Sequence, residues 1–192
     1  MNNNSLGTSI PVGDLRIGVV LVGHGQLPRD LPDELAGEYL GLKFKRPRTP
    51  AEEGRLGELE KLVLDWPRDE GNDPYYHGLH RLSEKVASLG RFERVWVAFN
   101  EFCRPKLGEA LEEACRSGVD VVVVVTTMLT RGGEHSEEEI PAAIEEHRSK
   151  CGRPLIYAWP FDEALVARLL VESVRSHLSS CLAGEGYGPG GI

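Results

Sequence analysis

Cysteine is sparse in this 192-residue chain. Cys103, Cys115, Cys151 and Cys181 form neither a C-x-x-C pair nor a dense framework, the pattern of reduced thiols in a cytoplasmic protein. Positive charge is also in short supply: 22 Lys and Arg face 30 Asp and Glu, a formal −8. That balance provides no broad basic face for a phosphate backbone and argues against nucleic acid as a partner. No apolar run exceeds five residues, Val121–Val125 being one, so no membrane span is expected. Met1-Asn2-Asn3-Asn4 lacks the basic start and apolar stretch of a signal peptide. A Walker loop is missing, which leaves no reason to expect a nucleotide, and no repeat of solenoid length is found.

What remains is an ordinary globular composition, 41% hydrophobic and 27% charged, in a chain long enough to bury roughly 70% of its unfolded surface. Residues 1–14 and the glycine-rich stretch 183–192 read as loose tails, since ordering that much glycine is entropically costly. Four short apolar runs read as strands: Ile17–Val22, Arg94–Phe99, Val119–Val125 and Leu155–Trp159. The valine run is apolar on both faces, as a central parallel strand covered by helices on each side requires.

Helical patterns separate the strands. Asp73-Pro74 caps a segment carrying Leu79, Leu82, Val86 and Leu89 up to Gly90. After Pro105, Leu107, Ala110, Leu111, Ala114 and Cys115 mark one buried helical face. Asp162 opens a long helix with Leu165, Leu169, Val174, Leu178 and Cys181. The alternation predicts a single α/β domain over 15–182, an open parallel sheet of about four strands with helices on both faces. Its chemistry belongs in the loops at the strands' carboxyl ends.

Residues 27–72 are too long for a βα loop. They contain Leu31, Leu35 and Leu40 at helical spacing, then the capping box of Thr49 and Glu52 before Leu56, Leu59 and Val63. This reads as a helical insertion on the active edge of the sheet; the alternative is a mere extension of the helical layer.

Three strand-end groups stand out. His24 lies between Gly23 and Gly25, which free the backbone to turn sharply. A histidine phosphatase would want arginine where Gly23 stands. Glu101 ends the second strand. His135 follows the valine strand within Arg131-Gly132-Gly133-Glu134-His135, with the next helix expected to start near Glu139–Pro141 and His135 left on a loop. If the sheet brings these loops together, two imidazoles and a carboxylate form a ligand set suited to Fe, Co, Ni or Zn. His77 and His80, at i and i+3, could share a metal but fit an ordinary amphipathic helix better. Tyr75, Tyr76 and Trp66 fit core or rim positions better than a stacking platform.

The G-H-G turn, the strand-end Glu101, the G-G-x-H loop and the His135, Glu139, Ile140, Pro141 register together resemble the class II, ATP-independent tetrapyrrole chelatases. The nearest branch is the sirohydrochlorin cobaltochelatase (CbiX) family. The resemblance covers 17–26 and roughly 73–165. It departs after His24, where Gln26-Leu27 replaces Ser-Arg, at Glu139, which is usually Asp, and in the insertion, which short members lack.

The resemblance implies a chelatase-like half-fold and insertion of a divalent metal (Co, Ni or Fe) into a sirohydrochlorin-like tetrapyrrole. It implies His24 and His135 as the catalytic and metal-binding pair, with Glu101 beside the metal and a homodimer as the favoured assembly. The alternative is a non-catalytic tetrapyrrole- or metal-binding protein of the same fold. A polycarboxylate substrate needs local cations on an acidic chain. Lys43, Lys45, Arg46 and Arg48 cluster in the insertion, while Arg104, Lys106 and Arg131 flank the site loops. Arg46, Arg48, Arg104 and Arg131 are the candidates to grip substrate carboxylates.

Overall fold

In the computed structural model, which describes residues 12–182, four parallel strands form one sheet: β1 (Ile17–Gly23), β2 (Arg94–Phe99), β3 (Val121–Thr126) and β4 (Leu155–Tyr157), in the order β2-β1-β3-β4. β1 lies in the middle, with Gly18 opposite both Arg94 and Val122, so the loops after β1, β2 and β3 leave the same edge side by side. The expected C-terminal tail lies outside the described residues. So does most of the N-terminal one, of which Val12–Asp14 form a short 3-10 turn. β4 ends two residues before Trp159, ahead of Pro160, which has no N–H to donate to a ladder.

Alternation of side chains sorts the sheet into two cores. On one face Val20, Val22, Ala98, Val122 and Val124 meet Leu107, Ala110, Leu111 and Ala114 of α4 (Leu107–Arg116) and Ile140 and Ile144 of α5 (Ile140–Cys151). On the other, Leu21, Val97 and Phe99 meet Leu79 of α3 (Pro74–Gly90). α3 begins as expected, Asp73 accepting from the Tyr76 N–H. Its left-handed cap is Arg91 rather than Gly90. Gly90 lacks a Cβ because the Phe92 ring occupies that space.

The insertion forms α1 (Asp33–Phe44) and α2 (Pro50–Leu64), the latter opened by the Thr49–Glu52 capping box. They bury Leu31, Tyr39, Leu59 and Val63 together, with Phe102 against them. This third small core sits on the loop after β2, at the carboxyl edge of the sheet. The long C-terminal helix, α6 (Glu163–Leu182), buries none of its residues. No helix among the described residues is long and apolar enough to cross a membrane.

One expectation is overturned. Cys115 and Cys151 are joined by a disulfide across 36 residues, with Cα atoms 4.9 Å apart. Each lies on one of two helices that pack together, α4 and α5, a proximity that linear spacing cannot reveal. The cysteine pattern therefore no longer argues for a reducing compartment.

Candidate metal and substrate site

Glycine on both sides of His24 is a steric requirement. A Cβ on Gly23 would stand 2.5 Å from Leu79 Cδ2 and 2.8 Å from the Tyr75 hydroxyl. A Cβ on Gly25, whose φ is +91°, would stand 1.9 Å from the Glu101 carbonyl oxygen. The close approach is fixed by backbone bonds: Asn100 N–H to Gly23 O at 3.0 Å and Glu101 N–H to His24 O at 2.9 Å. The His24 N–H in turn donates to the Tyr75 hydroxyl at 2.8 Å. The turns after β1 and β2 are thereby stitched together, and His24 and Glu101 are aimed at one point.

His135 arrives from β3. It opens a π-helical turn, His135–Glu139, that runs into α5, instead of lying on a loop. Pro141 explains the wide turn. It has no N–H for the Glu137 carbonyl, and its ring crowds that carbonyl. The Ile140 N–H bonds back to His135 O instead, and such widened turns recur at functional sites.

His24 Nε2 lies 3.7 Å and His135 Nε2 3.9 Å from Glu101 Oε2. The imidazole centroids are 4.7 Å apart. One donor atom from each of the three residues falls within 4.8 Å of the others, and no other trio of His, Cys, Asp or Glu does so among the described residues. The tautomers follow from the outer contacts. His24 Nδ1 is 2.7 Å from the Gly25 carbonyl oxygen, which only accepts, so Nδ1 carries a proton. His135 Nδ1 is 2.9 Å from Glu139 Oε2, which is also bonded by the Asn100 side-chain amide at 2.8 Å. Both Nε2 lone pairs are thus directed inward, an orientation that such outer partners commonly impose on ligating imidazoles.

A cavity of ~560 Å³ opens above these groups, within the range of small-molecule sites. Its far wall comes from the insertion, through Leu40, Lys43, Phe44 and Arg46, and its rim carries Glu134 and Glu139. Lys43 Nζ lies 2.8 Å from Glu101 Oε1. Burial works most strongly against the Lys43 charge, but the Glu101 carboxylate, together with Tyr39 and Glu60, raises its pKa on balance.

Of the four arginines expected to hold substrate, Arg46 alone lines this cavity. Arg48 spends its guanidinium on the carbonyls of Leu42, Lys43 and Lys45 and on Glu53, closing the end of α1. Arg104 pairs with Asp65 and Glu109. Arg131 pairs with Glu137 and borders a different cavity, beside Phe161 and α6. These three are engaged by nearer carboxylates or carbonyls. Arg46 also donates to the carbonyls of Lys43 and Lys45 at 2.8 Å, and what sets it apart is its place on the cavity wall. Tyr75 supports His24, Tyr76 stacks on Phe99 at 5.2 Å, and Trp66 Nε1 donates to Asp30. His77 and His80 pack beside Tyr76, with Glu70 3.9 Å from His77 Nδ1, but no donor trio closes there among the described residues, and burial lowers the His80 pKa.

The residues that sequence reasoning missed act as supports. Arg68, 8% exposed, pairs at 2.5 Å with the fully buried Asp73 and also donates to Gln26 O and Phe102 O. It thereby joins both site loops to the start of α3. Phe102, held by that bond, has φ +60°, an uncommon conformation for a non-glycine residue, of the kind that clusters at functional sites.

The CbiX family model matches residues 72–177, more than half of the chain. A sirohydrochlorin cobaltochelatase of Methanopyrus kandleri is 41% identical over 63 residues, 33% of this chain. The match spans only 43% of that relative's own length. Among solved structures, the cobalamin-biosynthesis CbiX protein of Marinobacter aquaeolei VT8 aligns with a TM-score of 0.50 at 18% identity, over 85% of this chain and 98% of the other. The sirohydrochlorin chelatase SirB of Bacillus subtilis subspecies spizizenii, in complex with cobalt, aligns at 0.45 and 15% identity, over 80% of this chain and 47% of the other.

Proposed function

The chain belongs to the CbiX family, and from that premise we propose that it inserts a divalent metal ion into a sirohydrochlorin-like tetrapyrrole without ATP. The observation that carries this reading is the meeting of His24 Nε2, His135 Nε2 and a Glu101 oxygen at the floor of an open cavity. Cobalt is the ion named for the Methanopyrus relative, and Ni2+ and Fe2+ suit the same donors.

Metallation replaces two pyrrole N–H protons by one M2+ and releases both protons. Two imidazoles and one carboxylate leave open coordination positions, so the ion is held without a closed four-ligand cage. Each imidazole has its Nδ1 proton committed outward. Each inward Nε2 can therefore first donate to the ion and then, once it passes to the macrocycle, accept one of the two protons. Glu101, near both Nε2 atoms, would stabilise the resulting imidazolium groups. Arg46, on the cavity wall, is assigned to a substrate carboxylate, where a planar fork is the better match.

The test is anaerobic mixing of purified protein, sirohydrochlorin and Co2+, Ni2+ or Fe2+, followed by absorbance. Metallation faster than with metal alone is expected, falling at least 100-fold in His24→Ala and in His135→Ala. A rate equal to that of free metal would leave a binding protein, not an enzyme.

A second copy of this chain is proposed as the protein partner, docked through α6. Seven large apolar side chains on this helix, from Leu165 to Leu182, are 45–86% exposed. Of these, Leu170, Val174, Leu178 and Leu182 recur every four residues, the stripe that a second copy would cover.

A further inference from the structure

The insertion supplies none of the three metal donors and precedes the matched family region but for its last residue, Asn72, yet one of its side chains reaches the donor set. Lys43, in the last turn of α1, places its ammonium 2.8 Å from Glu101 Oε1. The opposite oxygen, Oε2, faces the two imidazoles. The ammonium is seated over the Phe102 and Tyr39 rings, 5.4 and 6.0 Å from their centroids. Tyr39 is buried in the insertion's own core. The position of Lys43 is therefore built into the fold, unlike that of a freely moving surface lysine.

We propose that Lys43 is a positioning residue that keeps metal binding loose, by holding Glu101 to one-oxygen coordination and offsetting its charge. This inference rests on the chelatase reading and concerns how the same site is regulated. A carboxylate free on both oxygens would chelate M2+ more tightly and keep its full negative charge for the ion. With Oε1 engaged, the ion meets one oxygen, two neutral imidazoles and a nearby fixed cation that repels it. Such a site takes up an ion and gives it away, as a donor to a macrocycle must. After hand-over, the ammonium remains to neutralise Glu101 while the ion departs.

The experiment measures Co2+ affinity in the absence of tetrapyrrole, by competition with a chromophoric chelator, for the full chain and its variants. Lys43→Met is expected to bind Co2+ at least tenfold more tightly, whereas Lys43→Arg, which keeps the charge, stays within about threefold of the parent protein. In turnover, Lys43→Met should lower the KM for Co2+ and kcat together, a split that mere loss of structure would not produce. Should Lys43→Met fail to fold, Lys43→Gln provides the same comparison.

Unchanged or weaker Co2+ affinity in a folded charge-removing variant overturns the inference. The chelatase reading is judged separately, by loss of Co2+ binding and turnover in His24→Ala and His135→Ala. In a Glu101→Gln background the Lys43→Met effect should shrink below about twofold. An effect of full size there also overturns the inference, since Lys43 would then not be acting through Glu101.

Discussion

Gly25 and Gly132 have nearly the same backbone, φ +91° and +89°, but different surroundings. A methyl on Gly25 runs into the Glu101 carbonyl, whereas one on Gly132 meets nothing within 4 Å. Gly132→Ala should cost only the left-handed strain, about 1–2 kcal/mol. Gly25→Ala adds a clash with backbone that is itself hydrogen-bonded, and we expect at least about 3 kcal/mol, a fall in Tm of roughly 6–12 °C, or failure to fold. Equal Tm shifts in the two variants would refute the steric account. The G-H-G turn was legible because glycine on both sides of a strand-end histidine has few other uses. The outward partners that set the tautomers, Gly25 O and Glu139, were not, because they depend on rotamer and on the π-helical turn. Lys43 stood out in the sequence only as one cation in a basic cluster. Its pairing with Glu101 needs α1 folded over the loop after β2, a contact between positions 58 residues apart.

At the level of elements, the start of α3 carries more than a cap. Asp73 accepts from the Tyr76 N–H, from the Gln26 side chain at 3.0 Å and from Arg68, all in a site closed to solvent. Removing one partner of a buried ion pair leaves the other charge uncompensated, at a cost of about 3–5 kcal/mol. Asp73→Ala should accordingly lower Tm by roughly 6–20 °C. Adding Arg68→Met should restore part of that loss, since the stranded charge is then gone; a double variant as unstable as the two single losses combined would contradict the argument. Asp73-Pro74 could be read from the sequence as a cap because capping is local chemistry. Arg68 could not, since its partners lie on three loops. α5 starts at Ile140, within the expected Glu139–Pro141, but His135 was misplaced on a loop for a related reason: Pro141 signals a helical first turn and does not announce that the turn before it widens to keep His135 helical.

Across the whole molecule, the four strands and the helical layers were legible from hydrophobic patterning. The order β2-β1-β3-β4, on which the convergence of the three strand-end loops depends, was not, because pairing is a long-range choice that local patterning does not encode. The Cys115–Cys151 bond and the solvent exposure of α6 were not, because both depend on which helix faces which. α6 leaves Leu170, Val174, Leu178 and Leu182 in an i, i+4 stripe, with none of them buried. Ile156 on the edge strand β4 is likewise 49% exposed. An amphipathic helix draws most of its stability from packing its apolar face, and this exposed stripe is the surface proposed to be covered by a second copy. A second copy meeting the stripe symmetrically buries both faces at once. Light scattering on the eluting protein should therefore give twice the 21.2 kDa chain mass at micromolar concentration. Leu170→Asp with Val174→Asp should return it to one chain mass while leaving Co2+ affinity unchanged, because α6 supplies no donor to the metal site. A parent protein of single-chain mass at tens of micromolar would overturn the assembly, and a dimer that survives both aspartates would place its interface elsewhere than on α6.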